Sequence, residues 1–104
     1  MSGRHRSLGE SAQFTAAIAH YRQLTDLSRL HLGLDHLCTL TARHSLARWR
    51  GSAGDAAGAA AALDELVEDH LRVLGPKHPH TLAVRHDLAR WREELARDDG
   101  LAVE

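Results

Sequence analysis

The chain has 104 residues, a formal net charge of −1 and nine histidines, with 26% charged and 43% hydrophobic residues of which few are aromatic. That length supports one small domain with one modest core, and the balanced charge gives no overall positive field to draw it onto nucleic acid or an anionic membrane. With Cys38 alone no internal disulfide forms, so a reducing cytoplasm is the default, and no stretch approaches the ~20 apolar residues of a bilayer span or a signal core.

Residues 1–10 mix Gly, Arg, His and Ser around one Leu and read as a flexible leader. Ser7 and Glu10 have the spacing of a capping box, and Ser11 is an alternative cap, so the first helix is expected over 11–32. Phe14, Ile18, Tyr21, Leu24 and Leu27 recur at three- and four-residue steps and mark its buried face. Gly33 supplies a left-handed stop.

A second helix is expected over 37–51, with Ala42, Leu46, Trp49 and Ala53 turned inward. Gly51 to Gly54 breaks it, and Asp55 stands where an N-cap is wanted for a third helix over 55–74. The stripe of that helix is Ala56, Ala59, Leu63, Leu66, Val67, Leu71 and Leu74. Gly75-Pro76 ends it, and Pro79 suits the first turn of a fourth helix over 79–97. Val84, Leu88, Trp91 and Leu95 form the inner face of this last helix, and Asp98-Asp99-Gly100 opens a tail over 98–104. Connections this short make successive helices antiparallel, so 11–97 is read as one helical domain.

The segment from Leu32 to Arg50 returns forty-two residues later as Leu74 to Arg92, with twelve of its nineteen positions identical. The identities include Gly33/Gly75, His36/His78, Thr39/Thr81, Leu40/Leu82, Ala47/Ala89 and Trp49/Trp91. A period of this length filled with helix formers points to stacked helical hairpins, whose usual work is binding other proteins.

Leu74-Gly75-Pro76-Lys77-His78-Pro79-His80-Thr81-Leu82, with its earlier copy, resembles the tetratricopeptide repeat of the long, kinesin-light-chain-like kind. The resemblance implies an all-α fold, a short right-handed α-α superhelix of four antiparallel helices. It places Ala47, Ala89 and Ala59 at the close crossings. The chain departs from the pattern with Arg50 and Arg92 where an aromatic commonly packs, and with Leu37 in place of the proline found at Pro79. In this frame the chain opens on a repeat's second helix, passes one complete repeat and stops after the first helix of the next.

The resemblance also assigns a concave lining to His44, Ser45 and Arg48 in the second helix and to His86, Asp87 and Arg90 in the fourth. His44 with Arg48, and His86 with Arg90, are four apart and share a face. Arginine grips carboxylates through paired hydrogen bonds, so the expected partner is a protein or peptide, with an acidic segment or a chain terminus as ligand. Solvated helix faces and internal ion pairs are the plainer reading of the same positions. Both tryptophans are expected in the core. Only two hairpins' worth of helix is available, so an open flank is expected to be covered by self-association into a homo-oligomer or by a partner. A self-assembly unit without a peptide groove is the alternative function.

No catalytic residues are expected: there is no phosphate-cradling loop, nucleophile elbow or His-Glu-x-x-His helix. The carboxylate run Asp64, Glu65, Glu68 and Asp69 reads as a solvated face. No metal or other cofactor is expected, since the repeat itself accounts for His36/His78 and His44/His86 and no Cys/His zinc spacing is present. Arginine outnumbers lysine twelve to one, a bias associated with bacterial GC-rich genomes.

Overall fold

Two glycines set corresponding corners of the chain. Gly33 and Gly75 hold φ of 92° and 88°, a left-handed conformation that costs a residue with a Cβ more than it costs glycine. After each corner stands the repeated histidine. His36 Nδ1 accepts the Cys38 amide at 3.0 Å and His78 Nδ1 accepts the His80 amide at 3.1 Å, so both imidazoles satisfy amides left without partners at a helix start. The repeated threonine then closes the turn: Thr39 Oγ1 donates to the Gly33 carbonyl at 2.8 Å, and Thr81 Oγ1 to the His70 carbonyl at 3.4 Å. The repeated Gly-x-x-His-x-x-Thr is therefore a corner-and-cap device.

A computed structural model describes the backbone of residues 2–103 and the side chains of residues 12–97. Four helices follow in order: α1 (Ser2–Leu32), α2 (Leu37–Ser52), α3 (Ala56–Val73) and α4 (Pro79–Val103). Among the described residues there is no strand, and none of their helices is long and apolar enough to cross a membrane. Asp55 caps α3 as expected, its side chain accepting the Gly58 amide at 2.9 Å.

Two boundaries depart from expectation. α1 begins at Ser2 rather than near Ser11, and α4 runs to Val103 through the expected tail. Capping residues mark permitted helix ends without enforcing them. Neither segment contains proline, and an interior glycine such as Gly3, Gly9 or Gly100 costs only about 1 kcal/mol.

Each helix packs on the next, and α2 also meets α4 along a short edge. The core is Leu40 and Ala47 from α2, Ala59, Ala60, Leu63 and Leu66 from α3, and Val84, Leu88 and Trp91 from α4. The small alanines let backbones approach, and the leucines fill the resulting layer, each full burial contributing about 1.5–3 kcal/mol. The inner face of α4 is the one expected. On α3, Leu71 is exposed and His70 is buried in its stead.

α1 and α2 correct the sequence reading more strongly. On α1, Thr25 and Ser28 are buried whereas Leu24 and Leu27 are exposed; Thr25 Oγ1 is satisfied by donating to the Tyr21 carbonyl at 2.7 Å. α1 touches α2 alone, so only the strip facing α2 is covered. α2 lies between α1 and α3 and buries Thr39, Leu40, Ala42, Ala47 and Gly51; Leu46 and Trp49 are only half-buried, and Ala53 is an exposed C-cap.

A chain of charges ties the corner before α2 to both central helices. Arg43 donates to Asp69 at 2.7 Å, and Arg72 donates to Asp69 at 3.1 Å and through two 2.9 Å hydrogen bonds to Asp35. Burial pushes the Asp69 carboxyl up, but the two guanidinium hydrogen bonds outweigh it and hold the group below its ordinary value. Arg72 likewise lowers Asp35, and its own pKa is raised in return. Asp64 pairs with Arg92 at 3.0 Å. Two members of the expected solvated acidic run thus serve as ties between helices.

Candidate functional site

α2 and α4 run side by side with their repeated His/Arg faces adjacent, and the convergence point is a single carboxylate. Asp87 on α4 accepts a hydrogen bond from His44 Nε2 of α2 at 2.6 Å. Arg48 Nε, one turn along α2, is 3.5 Å from the same oxygen, and His86 Nδ1 is 3.9 Å from the other. The Asp87 side chain is 15% exposed and that of Arg48 is 62% exposed. A partly desolvated acid is thus held by a half-buried imidazole, with a largely exposed arginine beside it.

Four of the six residues singled out from the sequence are brought together: His44, Arg48, His86 and Asp87. The remaining two sit at the borders of the cluster. Ser45 lines a groove of about 310 Å³ with Tyr21, Arg48, Trp49 and Ser52. Arg90 lies over the Trp91 ring, 5.2 Å from its centroid, in a cation–π contact. Asp87 therefore serves its neighbours within the chain, while Arg48 and Arg90 present charge outward. Trp49, assigned to the core from its spacing, is instead half-buried, packs 5.8 Å from Phe14 and forms part of the groove wall.

A second groove, about 360 Å³ and mostly apolar, opens between α1 and α2, with Tyr21, Leu24 and Ser28 on one side and Leu37, Cys38 and Thr41 on the other. Sequence reasoning missed it because Leu24 was assigned to a buried stripe. Among the described residues no three His, Cys, Asp or Glu side chains are grouped so as to hold a metal ion.

Among the described residues, His70 is the buried titratable group. Its Nδ1 donates to the Leu66 carbonyl at 2.9 Å. Burial lowers its pKa, and the charges of His44 and Arg43 from α2 and His80 from α4 lower it further, against the raising effect of the Leu66 bond. The folded chain then binds fewer protons than the unfolded chain below the ordinary histidine value near 6.5, so stability falls as pH falls through that region. The expected result is a melting temperature that is level above about pH 7 and declines toward pH 5, with His70 contributing at most about 1.4 kcal/mol per pH unit. Replacing His70 by Gln should flatten this slope; an unaltered slope would show that other groups cause it.

Comparison with known families yields a match of residues 39–80 to the tetratricopeptide repeat. That span takes in most of α2, all of α3 and the start of α4, and so includes Gly75 and His78 of the second corner. No curated protein and no solved structure matches the chain.

Proposed function

Because residues 39–80 match the tetratricopeptide repeat and the four helices are of that repeat type, we propose that the chain is a non-catalytic module that binds a protein or peptide through the joint face of α2 and α4. Its ligand in this reading is an acidic segment or a chain-terminal carboxylate, received on the face that carries His44, Ser45, Arg48, His86, Asp87 and Arg90, with Arg48 and Arg90 as the groups that grip it. The observation that carries the proposal is the arrangement around Asp87. Arg48 Nε stands 3.5 Å from that acid while the Arg48 side chain stays 62% exposed, and the same arginine lines the groove walled by Trp49, where its guanidinium is open to a carboxylate ligand. Asp87 acts here as a positioning group that sets the direction of Arg48, with His44 fixing Asp87 in turn.

The test is an array of acidic peptides with free or amidated C-termini, read by the fluorescence of Trp49 against a Trp49→Phe control. Wild-type chain should bind a subset, more weakly at high salt. Arg48→Ala and Arg90→Ala should each weaken that binding at least tenfold, the cost of a charge-assisted contact of about 1.5–3 kcal/mol. Undiminished binding by both variants would remove these arginines from the site.

A further inference from the structure

The forty-two-residue shift relates α4 to α2 and also α1 to α3, placing Ala17 on Ala59, Leu24 on Leu66 and Leu32 on Leu74. Equivalent leucines nevertheless differ sharply in burial. Leu66 is 1% exposed and Leu24 is 39% exposed; Leu40 is 0% exposed and Leu82 is 52% exposed. α3 and α2 each lie between two helices, whereas α1 has α2 alone and α4 has α3 with only an edge of α2. The two open flanks are therefore complementary in kind: one is the face that α3 turns to α2, and the other is the face that α2 turns to α3.

We propose that the α4 flank of one copy docks on the α1 flank of a second copy, head to tail, repeating between chains the α2–α3 packing found within one. The occupant follows from the repeat. Within the chain, α2 packs against the helix that carries Leu66, and α4 repeats α2 at twelve of nineteen positions when each is taken with its corner, Leu82 and Ala89 included. Charges permit the same register. The internal pairs Arg43–Asp69 and Arg72–Asp35 become Arg85 against Leu27 and Leu30 against Lys77, so neither position sets like charges together and the contact would cover two exposed leucines. The helix overhangs agree as well. α4 passes Glu94, the counterpart of the end of α2, to reach Val103, and α1 starts at Ser2, well before Phe14, the counterpart of the start of α3. Both overhangs leave the same edge of the stack, the one where Trp91 meets Gly51 and Trp49 meets Phe14. A heterologous contact of this kind does not pair two identical patches, so it builds an open series or a ring.

The inference is independent of the carboxylate reading, which concerns Arg48 and Arg90. Sedimentation velocity on the full chain should show mean mass rising beyond two copies from micromolar to millimolar concentration. Leu82→Arg alone and Leu27→Arg alone should each remain single, the latter because it sets Arg against Arg85, and their equimolar mixture should form two-copy particles and nothing larger. Leu27→Asp should associate within tenfold of wild type, since it restores the Arg43–Asp69 type of pair across the contact. Circular dichroism confirms that each variant keeps its helices, and the acidic-peptide binding of the single-copy variants is unaffected. A wild type that stays single throughout, self-association of either Arg variant alone, or equal loss from Leu27→Asp and Leu27→Arg would overturn the proposal.

Discussion

Trp91→Ala is expected to destabilise the chain by about 3–5 kcal/mol in urea unfolding, a large part of the roughly 5–15 kcal/mol that holds a domain of this size together. The indole is buried in the core cluster and lies flat against the backbone of α2 at Gly51. A Cβ at position 51 would stand between 2.5 and 2.8 Å from three of its ring carbons, closer than carbon atoms approach without displacement. Gly51 is thus the receiving surface for Trp91, and the pair should behave as a unit. In the wild type, Gly51→Ala should cost about 1–3 kcal/mol through overpacking, although alanine is the better helix former by about 1 kcal/mol. In the Trp91→Ala background the same change should become neutral or stabilising. Strict additivity of the two substitutions would show that the ring and the glycine do not meet.

Much of this arrangement is legible in the residues, and the illegible part has one physical origin. Gly33, Gly75, Asp55 and Pro79 mark corners and starts because their backbone chemistry acts within a few residues, and the structure places each where its chemistry requires. The α4 face, Val84 to Leu95, is equally readable from spacing. Spacing fails on α1, where Leu24 and Leu27 stand exposed while Thr25 and Ser28 are buried. Periodicity reports which side chains are apolar, but it does not report how many neighbours a helix has. The half-burial of Trp49 has the same cause, since its counterpart Trp91 finds Gly51 on α2 and a place in the core cluster while Trp49 finds Phe14 on α1. At the site, the four-residue spacing placed His44 with Arg48 and His86 with Arg90. The carboxylate that joins the two helices was named without its role, because a contact between residues 44 and 87 depends on how α2 and α4 lie side by side.

The second large effect separates sequence from position. Leu40→Ala should cost about 2–5 kcal/mol, whereas Leu82→Ala, measured at low micromolar concentration, should fall within about 0.5 kcal/mol of wild type. Both leucines follow a threonine whose hydroxyl donates to a carbonyl of the preceding corner or helix, three residues before an identical Arg-His pair. Local sequence is therefore closely matched, and the difference isolates what neighbouring helices contribute: Leu40 lies in the core cluster with residues of α3 and α4, whereas Leu82 stands outside it and is half exposed. Raising the concentration sharpens the argument, because docking of a second copy stabilises the folded chain by mass action. The Leu82→Ala variant should then lose stability relative to wild type as concentration rises, while the Leu40→Ala deficit is already present at dilution. Equal costs at dilution would mean that the α4 face is covered within the single chain, and the two-flank architecture would have to be abandoned.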